Sequence, residues 1–162
     1  MASTFMMGAV AFAAPAAQST NCPIAADDVV SGVIGTPATI NPAYDVTVDG
    51  SNTECLFTAG GNLVLVRRAA GFFDDSASSA TPEQLDQLRL LINDDLDYAP
   101  VAGIGDAAYF ATVRDRSLAS ERLAVLVSKR GADAFVIGVM DTPEAFDTTT
   151  TLTQAVLAQP AS

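Results

Sequence analysis

The chain has 162 residues, two cysteines, no histidine and a net charge of −11. That length suits one domain with a core large enough for independent stability. All eight basic residues lie between Arg67 and Arg130, and the flanking segments are purely acidic, −5 before and −4 after, so no basic patch is available to grip a nucleic-acid backbone or an anionic membrane surface.

Residues 1–17 read as a signal peptide. Phe5 to Ala13 is an apolar run, and Ala14-Pro15-Ala16 is an Ala-x-Ala cleavage pattern. The run is too short to span a bilayer as a helix. Neither Lys nor Arg occurs in residues 1–12, which departs from the usual basic start of such a signal. The expectation is a secreted or cell-envelope protein with one mature domain, residues 18–162, and no stable membrane insertion after processing. Ser19-Thr20-Asn21 before Cys22 is not a lipid-attachment sequence. In an exported chain the even cysteine count predicts a Cys22–Cys55 disulfide. It would close a loop of about 34 residues, worth roughly 3–4 kcal/mol in the chain-entropy picture.

The mature chain opens with a predicted short helix from Pro23 to Ile34, acidic at its start and stopped by Gly35 before Thr36-Pro37. Residues 36–54 are turn-rich, with a short strand expected at Asp45 to Val48. Strands at Cys55–Thr58 and Asn62–Arg67 flank Gly60-Gly61, a hairpin signal. Asp74 to Ala80 is a polar connector. Thr81-Pro82-Glu83-Gln84 then announces a helix through a capping box with proline at its first position. Leu85, Leu88, Ile92 and Leu96 recur at helical spacing, so the helix is expected to reach Leu96, its end crowded by Asp94, Asp95 and Asp97.

Gly103-Ile104-Gly105-Asp106 reads as a sharp turn leading from that helix into a strand over Ala107 to Val113, with Asp106 free to bond nearby amides. Arg114 to Glu121 is a polar loop. Arg122 to Ser128 is apolar on both faces, as a covered strand should be, and Lys129 to Asp133 turns the chain into a partner strand, Ala134 to Met140. Thr142-Pro143-Glu144 starts a last helix, which the β-branched run Thr148 to Thr151 should interrupt. Leu152, Val156 and Leu157 give it an apolar face. This order predicts an α+β fold, a mostly antiparallel sheet with the helices packed on one face, carrying one disulfide.

Without histidine there is no Ser–His or Cys–His catalysis and no His-ligated metal, and oxidised cysteines remove thiolate chemistry and structural zinc. Gly103-x-Gly105 lacks the third glycine of a dinucleotide fingerprint and precedes a strand. Asn93, Asp95 and Asp97 imitate the start of a calcium loop, but Tyr98 stands where glycine is needed and Ile104 where a bidentate Glu belongs. Whether Asp94, Asp95 and Asp97 hold a cation is left open. Lys129, the sole lysine, falls in the expected hairpin turn and is a poor buried base, which argues against a Ser–Lys dyad. Phe72-Phe73 is the one exposed-looking aromatic pair, and packing under the following loop is the favoured reading. No cofactor is expected.

The Cys22-Pro23-Ile24 helix, the Cys55-Leu56-Phe57 strand and Gly103-Ile104-Gly105-Asp106-Ala107-Ala108-Tyr109 together resemble families of small exported actinobacterial proteins, many of them lipoproteins, without an assigned activity. The resemblance spans residues 22–140. It implies a secreted or wall-associated α+β domain of the PsbP-like kind and carries over no functional residues. The expected function is a non-enzymatic binding or interaction domain for a protein or small-molecule ligand. The alternative is a small carboxylate-based hydrolase of cell-wall or glycan material, open because nineteen acids make many pairs.

Overall fold

In the computed structural model, which describes residues 21–41, 47–49, 52–92, 96–113, 123–142 and 144–160, eight strands and three helices are found among the described residues. In chain order they are α1 (Asp27–Ile34), β1 (Ala38–Ile40), β2 (Thr47–Asp49), β3 (Asn52–Ala59), β4 (Asn62–Ala69), α2 (Pro82–Ile92), β5 (Leu96–Val101), β6 (Ala107–Val113), β7 (Leu123–Arg130), β8 (Asp133–Met140) and α3 (Ala145–Leu157). All strand pairs are antiparallel, in the order β1-β3-β4-β8-β7-β6-β5, with β2 pairing β3 off this path. The predicted signal peptide lies outside the described residues.

The centre of the sheet follows from composition. β8 is buried at every position from Ala134 to Val139, which suits a strand covered on both faces, and it sits between β4 and β7. The β3–β4 hairpin closes through Gly60 and Gly61, both at positive φ, as a tight two-residue turn requires.

Alternation along the strands separates two faces. Phe57 and Cys55 on β3, Val64 and Val66 on β4, and Ile137 and Val139 on β8 pack against Val30 of α1 and Leu152 and Val156 of α3. The Cys22–Cys55 disulfide lies in this cluster, with a Cα–Cα distance of 5.9 Å, and ties the approach to α1 onto β3. Side chains one residue along point to the other face, where Val127 and Val136 pack against Leu88 and Leu85 of α2 and against Phe73.

The α+β class, the antiparallel sheet and the disulfide are as expected, and α1 and α3 do share a face. α2 does not join them. Its apolar stripe covers the opposite side, because β7 and β8 are apolar on both faces and each face requires cover.

Besides α1 beginning at Asp27 and not at Pro23, four local expectations differ from the structure. α2 ends at Ile92, and Leu96 begins β5. Pro100 ends any helical reading, since it disfavours helix at Ala99 and cannot donate within a helix. As an outermost strand of the sheet, β5 tolerates that proline. Secondly, the glycine turn therefore joins β5 to β6 and not a helix to the sheet. Thirdly, α3 runs unbroken through its threonines. The Thr149 and Thr153 hydroxyls donate to the Ala145 and Thr149 carbonyls at 2.7 Å, so these two fully buried residues are satisfied within the helix. Its N-cap is Glu144, at φ 55°, without a side-chain capping bond. Fourthly, Lys129 lies in β7 and is 1% exposed, and the turn itself is Gly131-Ala132. The strand β1, next to α1, had no expectation attached to it.

The capping box of α2 is as read. The Gln84 amide donates to Thr81 Oγ1 at 3.3 Å, and the Thr81 amide donates to Gln84 Oε1 at 2.9 Å. Thr81→Ala should cost about 1 kcal/mol in urea denaturation, with the transition still cooperative. An unchanged midpoint would mean that water replaces the cap without loss.

Candidate functional site

On the α2 face, α2 and Phe72-Phe73 cover the half of the sheet near the β7–β8 turn. The other half carries an apolar groove of about 330 Å³. Its floor is one cross-strand row, Leu56 of β3, Leu65 of β4, Gly138 of β8 and Val125 of β7, in direct register. Leu63 and Met140, also paired, form the next row. Gly138 makes the depression. A methyl group placed there would reach Leu65 Cβ at 3.6 Å and Val125 Cγ2 at 3.7 Å, so the missing side chain leaves open space between two aliphatic walls. Met140 is 43% exposed. Glu54 lines the groove, and its carboxylate meets Arg67 at 3.7 Å. The volume lies at the lower end of the range of small-molecule pockets, roughly 300–1,000 Å³.

None of these residues was a candidate site in the sequence. The signal was present in Leu63-Val64-Leu65-Val66, which is apolar on both faces. Val64 and Val66 turn to α1 and α3, so Leu63 and Leu65 must find cover elsewhere. Among the described residues neither joins a core cluster, and both line the groove.

Cys55 faces away from the groove, under α1, and its role is structural. Asn93, Asp94 and Asp95 lie outside the described residues, as does the loop at 114–121. Asp97 stands in β5, and Ile104 is buried at 3% exposure in the glycine turn. Among the described residues no three His, Cys, Asp or Glu side chains come together as a metal group. Phe72 and Phe73 meet edge to face at 5.0 Å and join the core beneath α2, the packed arrangement favoured above.

Several carboxylates are structural partners. Asp133 takes both Arg68 Nε, at 2.8 Å, and Nη2, at 2.7 Å, and accepts the Gly71 amide. Asp106 accepts the Gly131 amide at 2.7 Å. The Ser76 hydroxyl, and after it the Ser76 amide, hold the Asp74 carboxyl below its usual pKa. A depressed carboxyl pKa adds stability above the unfolded-state value and loses it as pH falls through the folded one. Asp74 is fully exposed, so that contribution is small. Lys129 donates from Nζ to the Gly131 carbonyl at 2.5 Å, and Ser128 beside it points to the other face, so the two do not form a dyad. A carboxylate hydrolase needs two acids facing across a cleft; Glu54 is the one acid lining this groove among the described residues.

No helix among the described residues is long and apolar enough to cross a membrane. Comparison with family models, with curated proteins and with solved structures finds no match for this chain.

Proposed function

We propose that this protein is an exported, non-catalytic binding domain whose receiving surface is the groove over Gly138, and that the groove takes an aliphatic ligand. The observation that carries the reading is the cross-strand row in which Leu56, Leu65 and Val125 are left half-buried around Gly138, on a face whose other half is covered by α2 and Phe73. An apolar surface of this kind loses free energy to water until something occupies it. The net charge of −11 opposes covering it with a second copy of the same acidic chain. Export is supported by the Cys22–Cys55 bridge, which persists in oxidising compartments, and by the apolar run ahead of Ala14-Pro15-Ala16.

The test is a titration of residues 18–162 with a fluorescent long-chain fatty alcohol, which carries no carboxylate. Saturable binding is expected, weakened at least about tenfold in Gly138→Phe, whose ring fills the groove, and retained in Gly138→Ala. Near-equal binding by wild type and Gly138→Phe, or no saturable binding by wild type, would defeat the proposal.

A further inference from the structure

On the α1/α3 face, at the opposite side of the sheet from the groove, lies a second, smaller depression with a different chemistry. It has room of about 20 Å³ and is lined by Arg68, Arg130, Phe135, Gln159, Ile24 and Val156. Two of the chain's eight cations meet here in a protein of charge −11.

The donors are incompletely used. Arg68 gives Nε and Nη2 to one oxygen of Asp133, and its Nη1 is not part of that pair. Arg130 gives Nη1 to the Leu157 carbonyl at 2.6 Å and to the Gln159 carbonyl at 3.3 Å, which neutralises the carbonyl end of α3. Its guanidinium lies 4.9 Å from the Phe135 ring centroid. That contact holds the fork in place while leaving its remaining N–H groups for another acceptor. Gln159 supplies the decisive detail. Its Oε1 accepts the Ala26 amide at 3.4 Å, whereas its buried Nε2 has no hydrogen-bond partner among the described residues. A buried amide N–H₂ left unpaired costs about 1–3 kcal/mol, so the site gains by admitting an acceptor.

Local charge decides which acceptor. Arg68 and Arg130 against Asp133 leave one net positive charge among these side chains, and Arg68 Nη1, the remaining Arg130 N–H groups and Gln159 Nε2 are all donors. The geometry points to a carboxylate-binding site at Arg68, Arg130 and Gln159. The guanidinium fork pairs with carboxylate and phosphate alike, and room of about 20 Å³ favours the smaller carboxylate. This site does not depend on the groove being a binding surface.

Side-chain ¹⁵N NMR of residues 18–162 tests it, following the Gln159 Nε2 amide and the Arg68 and Arg130 Nε–H signals. Acetate is added against sodium chloride of equal ionic strength, and separately a short peptide with a free or an amidated C-terminus. Saturable shifts with acetate are expected at all three side chains. In Gln159→Leu the affinity should fall at least about tenfold, with backbone signals elsewhere unchanged. Arg68→Lys, which keeps the charge and loses the fork, should also weaken binding. Binding of the free peptide but not the amidated one would assign the carboxylate to a chain terminus, and binding of acetate alone would assign it to a small free acid. Shifts that never saturate, that chloride reproduces, or that survive Gln159→Leu would overturn the proposal. So would tighter binding of inorganic phosphate than of acetate.

Discussion

Gly105→Ala should destabilise the protein by about 3 kcal/mol or more, whereas Gly103→Ala should cost only about 1 kcal/mol. Both glycines hold positive φ, 57° and 83°, so alanine meets the left-handed penalty at either site. The difference is space. A Cβ on Gly105 would stand 2.5 Å from the Lys129 carbonyl oxygen, which is backbone in β7 and cannot swing aside, while nothing lies within 4 Å of a Cβ on Gly103. Relief would have to separate the β5–β6 turn from the β7–β8 hairpin. Two hydrogen bonds hold them together there, from the Asp106 amide to the Lys129 carbonyl at 2.9 Å and from the Gly131 amide to Asp106 Oδ2. Urea denaturation of the two variants side by side reads the result. Equal losses would mean that the close approach is not maintained in solution.

Reduction of Cys22–Cys55 is the second large effect. The bridge joins positions 33 apart in sequence, and releasing a loop of that size from the unfolded chain costs about 3–4 kcal/mol. For a domain of this length that corresponds to a fall in melting temperature on the order of 10 °C. Cys55 is fully buried and Cys22 is 8% exposed, so a reductant has little access to the bridge in the folded chain. Reduction should therefore be slow in native conditions and fast in mild denaturant. The Cys22→Ala/Cys55→Ala variant should show the same fall in melting temperature. An unchanged melting temperature would show that the packing of Val30, Leu152 and Val156 holds α1 without the bridge.

What could be read in the sequence was whatever rests on local chemistry. Thr81, Pro82 and Gln84 mark the start of α2 because capping depends on atoms within four residues. Gly60-Gly61 and Gly131 mark hairpins for the same reason. Cys22 and Cys55 leave one intramolecular pairing. The errors arose where distant contacts decide. Thr148 to Thr151 looked like a break, yet a helix buried on one side accommodates threonines whose hydroxyls bond back to the preceding turn. Leu96 matched helical spacing and a strand start equally well, and pairing with Val113 of β6 selects the strand. The face taken by α2 could not be inferred from its own pattern, since an amphipathic helix states that it has a partner and not which one. The groove was hidden for a related reason. Leu56, Leu65, Gly138 and Val125 come from four strands and become a site only through register.

The central claim is that this register creates a receiving surface, and methyl NMR of residues 18–162 tests it most directly. With a medium-chain fatty alcohol as probe, which has no carboxylate for Arg68 and Arg130, saturable shifts are expected at Leu56, Leu63, Leu65, Val125 and Met140, while Val30, Leu152 and Val156 beneath the other face remain still. Shifts confined to the α1/α3 face, or none at the five groove residues, would contradict the account.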